Sequence, residues 1–144
     1  MKTIVGRIML FFLFSTISIA GISQETDWAD LPATSSSPKA MELYKSGLIA
    51  MADVRMNVAD NYFRQAAEAE PNFIMPNVLL AVEYFYKKDM PNFKVMVGKV
   101  LSSTYSLNES EELIQQALKQ LADNPIANAT EVGEKLTKLN PKSV

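Results

Sequence analysis

The stretch Ala59–Pro71, which reads ADNYFRQAAEAEP, decides how this chain folds. Ala59, Phe63 and Ala66 are separated by four and then three residues, which places them on one side of an α-helix. The alanines let a neighbouring helix approach closely, the Phe63 ring fills the gap, and Pro71 ends the helix. The stretch therefore predicts one half of a tightly packed helix pair.

The rest of the chain predicts further helices of the same kind. Upstream, Leu43 and Gly47 fall where an antiparallel helix would meet Phe63, and Ser37 and Pro38 are a typical helix start. Apolar residues at helical spacing, together with their caps, predict six helices. The first three begin near Pro38, Met56 and Ile74. The fourth begins after Asp89, the fifth after Asn108, which forms a capping box with Glu111, and the sixth at Asn124-Pro125. We expect the second helix to end near Glu70, and the third, apolar on nearly every side, near Lys88.

The helix pairs recur with a regular period. Pro71 and Pro141 lie 70 residues apart, which is two periods of about 35. The chain resembles the tetratricopeptide repeat (TPR) family in three copies, at positions Leu43, Gly47, Ala59, Phe63, Ala66, Pro71; Leu80, Ala81, Tyr84; and Leu113, Ala117, Ala129, Leu136, Pro141. It departs from the family pattern at Ala50, Phe93, Ser103-Thr104, Gln120 and Gly133. The resemblance implies an all-α fold, a right-handed α-solenoid of three antiparallel helix pairs over about 38–72, 73–105 and 108–141, followed by a tail at 142–144.

The N-terminus has the layout of a secretory signal peptide over residues 1–23. Lys2 and Arg7 precede a short apolar run, Ile8–Ala20, which is followed by small residues. We expect cleavage after Ser23, with Ala20 as the second choice and an uncleaved anchor as the alternative. The layout predicts an exported protein, periplasmic or secreted, without stable membrane insertion after cleavage. Residues 24–37 are polar and turn-prone and predict a flexible linker, in which Trp28 and Leu31 are either exposed or docked on the domain.

The composition excludes several classes of function. The chain has neither histidine nor cysteine, so the common nucleophile–base pairs and the nitrogen or sulfur metal sites cannot be built. We therefore predict no enzyme, no cofactor and no metal. The formal net charge of −2 becomes −4 when Lys2 and Arg7 leave with the signal peptide, which argues against nucleic acid as a partner.

The family resemblance implies a function in protein–protein interaction. TPR arrays bind peptides or helices in the groove lined by the first helix of each pair, and this groove would be almost wholly apolar. The corresponding positions are Met41, Tyr44, Leu48, Met51, Met75, Val78, Val82, Phe85, Tyr86, Ile114, Leu118 and Leu121, with the polar Glu111 beside them. For Met51, Val82 and Phe85, packing in the core is an equally good interpretation. The alternative function is a structural or assembly subunit, in which the uncovered sixth helix stacks on another copy as a homo-oligomer.

Overall fold

The computed structural model describes residues 32–124 and Lys138, and the regular structure of these residues is helical throughout. Five helices follow one another between residues 32 and 124: α1 (Pro38–Ala52), α2 (Met56–Ala69), α3 (Ile74–Tyr86), α4 (Met90–Leu101) and α5 (Glu109–Asp123). The all-α prediction is confirmed for this part of the chain. The predicted signal peptide, Trp28, Leu31, and the predicted sixth helix apart from Lys138 lie outside the described residues.

Three helix starts follow from the capping residues that the sequence supplies. The side chains of Ser37 and Asp89 accept hydrogen bonds from backbone N–H groups in the first turns of α1 and α4. Asn108 and Glu111 form the predicted capping box at the start of α5, where each side chain bonds the backbone of the other residue. These caps satisfy donors that the first turn of a helix leaves unpaired.

The turn between α1 and α2 recurs, 34 residues later, as the turn between α3 and α4. Val54 and Lys88 both have a φ of 59°, in the left-handed region. Each turn makes the same three backbone hydrogen bonds. In the first turn Asp53 donates to Ile49, Val54 to Met51 and Arg55 to Ala50. In the second turn Lys87 donates to Glu83, Lys88 to Phe85 and Asp89 to Tyr84. The left-handed residue also explains why α3 ends at Tyr86, two residues before the predicted end near Lys88.

The hydrophobic core is built around α3. The helix packs against α2 on one side and α4 on the other, α1 packs on α2, and α5 contacts α4 and α3. Residues 74–81 of α3 are all buried, as expected for a helix covered on every side. Gly47 of α1 lies against Phe63 of α2, and a Cβ atom at Gly47 would come within 2.4 Å of that ring. This close approach is the one that the alanine and glycine positions predicted.

Residues 32–37, the N-terminal segment, are part of the folded domain. The prediction of a flexible linker over 24–37 is wrong for these six residues, because hydrogen bonds hold them to residues far along the chain: Glu70, Tyr105, Asn108 and Glu111. The polar composition that suggested a linker instead supplies the donors for these bonds. Residues 24–31 lie outside the described part.

Candidate functional site

Half of the positions predicted to line an open groove are buried in the core. They come from the middle of α1 and of α5 and from the start of α3, and they are Tyr44, Leu48, Met75, Val78, Ile114 and Leu118. Tyr44 packs edge-on against Phe73, with ring centroids 5.1 Å apart. In this structure these six side chains hold the helices together and offer no surface to a partner.

The other six predicted positions keep exposed surface. Met41, Met51, Val82, Phe85 and Leu121 are half-buried, and Tyr86 is 80% exposed. All except Met41 fall in the last five residues of α1, α3 or α5. Short connections make successive helices antiparallel, so these three helices run in the same direction and their last turns lie at one end of the domain. Five of the six predicted positions that keep exposed surface therefore lie at that end.

A polar site lies at the start of α5, at the other end of this helix from Leu121. The carboxylate of Glu111 is completely buried and accepts bonds from the backbone N–H of Thr34 at 2.7 Å and from its hydroxyl at 2.6 Å. It also accepts the backbone N–H and the side-chain Nδ2 of Asn108, at 3.1 Å and 2.8 Å. The same carboxylate thus closes the capping box and holds the N-terminal segment.

A second buried carboxylate, Glu70 at the end of α2, holds the next part of the segment. Glu70 is 5% exposed and accepts the backbone N–H of Ser36 at 2.7 Å, together with the hydroxyls of Ser35, Ser36 and Tyr105. Burial opposes ionisation of this carboxyl. The hydrogen bonds from Ser35, Ser36 and Tyr105 outweigh that effect and lower the pKa of Glu70 to about 2.

The contacts to the backbone of the N-terminal segment alternate along it. Asn108 Nδ2 donates to the carbonyl of Pro32 at 3.0 Å, Glu111 accepts the N–H of Thr34, and Glu70 accepts the N–H of Ser36. In an extended chain the polar groups of every second residue point to the same side. The bonded backbone groups of residues 32, 34 and 36 therefore face the domain, and the chain bends at Ser36 before α1 begins. We call Glu70, Tyr105, Asn108 and Glu111 the carboxylate cradle.

The cradle lies close to the buried half of the predicted groove. The hydroxyl of Tyr44 is buried and has no hydrogen-bond partner. Burial raises the pKa of Tyr44 above its usual range, and the negative charge of Glu111 raises it further. Glu111, which holds the N-terminal segment, is thus near Tyr44, one of the positions where a groove was expected.

A separate open cleft of about 330 Å³ lies between α2, α3 and α4. Arg64 and Glu68 line one wall, Lys99 lines another, and Asn77 lies at the cleft with its Oδ1 buried and unpartnered. Arg64 is already engaged, since it donates to Asp60 at 3.1 Å and to the Tyr84 hydroxyl at 2.6 Å.

Sequence reasoning predicted the capping role of Glu111 but missed the cradle. Thr34 and Glu111 are 77 residues apart, and no local pattern joins them. Glu70 did carry a signal. A carboxylate at the end of a helix, just before Pro71, opposes the helix dipole and therefore needs other donors.

Within the described residues, no three His, Cys, Asp or Glu side chains lie close enough to hold a metal ion. No helix among those residues has the length and apolar character needed to cross a membrane. No protein-family model, no curated protein and no solved structure matches this chain.

Proposed function

We propose that this protein is an exported, non-catalytic interaction module, a TPR-like α-solenoid that binds an apolar peptide or helix of a partner protein. The contact surface is the apolar end formed by the last turns of α1, α3 and α5. The partner supplies apolar side chains, and affinity comes from burying them there.

One observation carries this proposal: the exposed aromatic side chain of Tyr86, in the last turn of α3. Its ring contacts Phe85 edge-on, with centroids 6.3 Å apart, and Val82 lies one turn before it on the same helix. Exposed aromatic residues beside half-buried apolar residues are typical of interaction surfaces, where they act as anchors. The recurrence of the helix turns after 34 residues supports the repeat architecture.

The test is site-specific photocrosslinking in the native source, followed by affinity measurement. A photoreactive phenylalanine analogue is placed at Tyr86 in one chain and at Val95 in another. Val95 is a matched control, because it is an exposed apolar residue of α4, away from the three last turns. We expect a protein adduct at position 86 and none at position 95.

A peptide from the captured protein is then measured against Val82→Glu and Val95→Glu. We expect Val82→Glu to weaken binding by at least about tenfold, because a charge would be buried in an apolar contact. Val95→Glu should leave binding unchanged, and both variants should keep their helical circular dichroism. Equal labelling at the two positions, or equal affinity of the two variants, contradicts the proposal.

A further inference from the structure

We propose that the carboxylate cradle is a binding site for an extended, hydroxyl-bearing peptide segment of another polypeptide, and that residues 32–37 occupy it as an intramolecular competitor. The proposed apolar surface involves other residues at the other end of the helices. Either proposal can therefore fail without the other.

The backbone contacts are those of peptide recognition. Three groups along one edge of the segment, the Pro32 carbonyl and the N–H groups of Thr34 and Ser36, are each bonded by a side chain of the domain. Backbone contacts at every second residue hold an extended chain whatever its side chains are. A different polypeptide with a free extended segment can make the same three bonds.

The side-chain contacts define the chemistry of the segment. The hydroxyls of Thr34, Ser35 and Ser36 all donate to Glu111 or Glu70, and the Tyr105 hydroxyl lies 2.8 Å from the Ser36 hydroxyl. Ala33 is partly buried against the core. The site thus selects a small residue followed by two or three residues that carry hydroxyl groups.

The occupant of the cradle supplies much of the hydrogen bonding that compensates the charges of Glu70 and Glu111. Neither Glu70 nor Glu111 forms an ion pair within the described part of the chain, so only N–H and O–H groups compensate their charges. A buried carboxylate without donors is strongly unfavourable. When the N-terminal segment leaves, water must solvate both carboxylates, and a segment that carries the same donors can displace that water.

A second copy of this chain is poorly placed to supply that segment. Ser37 caps α1, and Ala40, in the first turn of α1, is fully buried in its own domain. The segment runs directly into that anchored helix. Reaching the cradle of another copy would require that cradle to lie within the short reach of six residues from the anchored first turn of α1.

The test uses the full chain and a labelled peptide with the sequence PATSSSP, identical to residues 32–38. Thr34→Pro/Ser36→Pro removes the two backbone N–H donors while keeping an extended backbone, because the residues before proline prefer it. We expect this variant to bind the peptide at least about tenfold more tightly than the unaltered chain, in which a tethered competitor acts at an effective concentration in the millimolar range. Fluorescence polarisation measures the affinity.

Two controls locate the binding. Adding Glu70→Leu to the variant should abolish the gain, and the peptide PAVAAAP, which lacks the hydroxyls, should bind at least about tenfold more weakly, as expected for lost bonds to charged acceptors. Equal binding of the two peptides, or a gain that survives Glu70→Leu, overturns the proposal. So does a dimer of the unaltered chain in light scattering that dissociates in the variant, since it would indicate exchange between copies.

Circular dichroism shows whether the proline variant unfolds the domain. In that case Thr34→Val/Ser36→Ala, which deletes only two hydroxyls, replaces it. We then expect a smaller gain of about threefold in affinity for PATSSSP, since the backbone bonds remain. A helical variant without any gain, or loss of the fold in this variant too, shows that the segment is a permanent part of the domain and contradicts the proposal.

Discussion

Replacing Gly47 with alanine is expected to destabilise the protein, although alanine is the better helix former. Gly47 lies inside α1, and an added Cβ would meet three atoms of the Phe63 ring, the nearest at 2.4 Å. Carbon atoms pack at about 3.5–4.0 Å, so the ring would have to move by roughly 1 Å. Phe63 is buried and its ring lies 6.1 Å from the Tyr44 ring, so little space is available for that movement.

The magnitude follows from two opposing effects. Overpacking a core costs about 1–3 kcal/mol, and we expect the upper part of that range because three ring atoms are contacted. Replacing glycine by alanine inside a helix contributes about 1 kcal/mol in the other direction. The net result is a loss of about 2 kcal/mol in the free energy of unfolding.

Gly98 provides the matched control, because it lies inside α4 and an added Cβ there meets nothing within 4 Å. Gly98→Ala should therefore raise the free energy of unfolding by about 1 kcal/mol. Urea denaturation followed by circular dichroism separates the two variants, and Phe63→Leu in the Gly47→Ala background should recover part of the loss by making room. If Gly47→Ala is as stabilising as Gly98→Ala, the close approach of α1 and α2 is refuted.

Three further predictions concern the turn, the cradle and the cleft. Val54→Gly should raise the free energy of unfolding by up to about 1 kcal/mol in urea denaturation, because a β-branched residue at a φ of 59° is strained; a decrease would contradict the strain. The lowered pKa of Glu70, about 2 against an ordinary 4.5, means that its ionised form stabilises the fold fully above pH 4.5 and that this stabilisation, up to about 3 kcal/mol, is lost as the pH falls from 4.5 to 2. Urea midpoints between pH 2 and pH 7 should show this loss for the unaltered chain and a flatter profile for Glu70→Gln, whereas parallel profiles would disprove the role of Glu70. Asn77→Leu should raise the urea midpoint, by roughly 1 kcal/mol in free energy, because it removes a buried acceptor that has no partner; a lower midpoint would show that this oxygen is satisfied.

The local part of the fold could be predicted from the sequence because its determinants are local. Ser37, Asp89 and Asn108 cap the helices where their side chains led us to expect, and the capping box of Glu111 is present. Phe63 packs against Gly47 as the spacing of small and large residues predicted. These features depend on residues within a turn of one another, or on two adjacent helices.

The candidate site could be predicted only in part, because burial depends on contacts between distant residues. Tyr44 and Val78 show the same apolar spacing as Val82 and Phe85, yet the first two are buried and the last two are half-exposed. The pattern specifies a face of the helix and does not specify what covers it. Thr34 could not be assigned to Glu111 for the same reason.

The recurrence of the helix turns has a consequence for the length of the chain. The two turns, centred on Val54 and Lys88, have the same backbone hydrogen bonds and the same left-handed residue. Cutting out residues 54–87 would therefore join Asp53 to Lys88 within an unchanged turn. We therefore expect that these 34 residues can be removed without redesigning the junction. Such a shortened chain would lose Glu70. The residue 34 positions after Glu70 is Thr104, whose side chain has no carboxylate. Removing residues 54–87 would therefore also remove a carboxylate that holds the N-terminal segment.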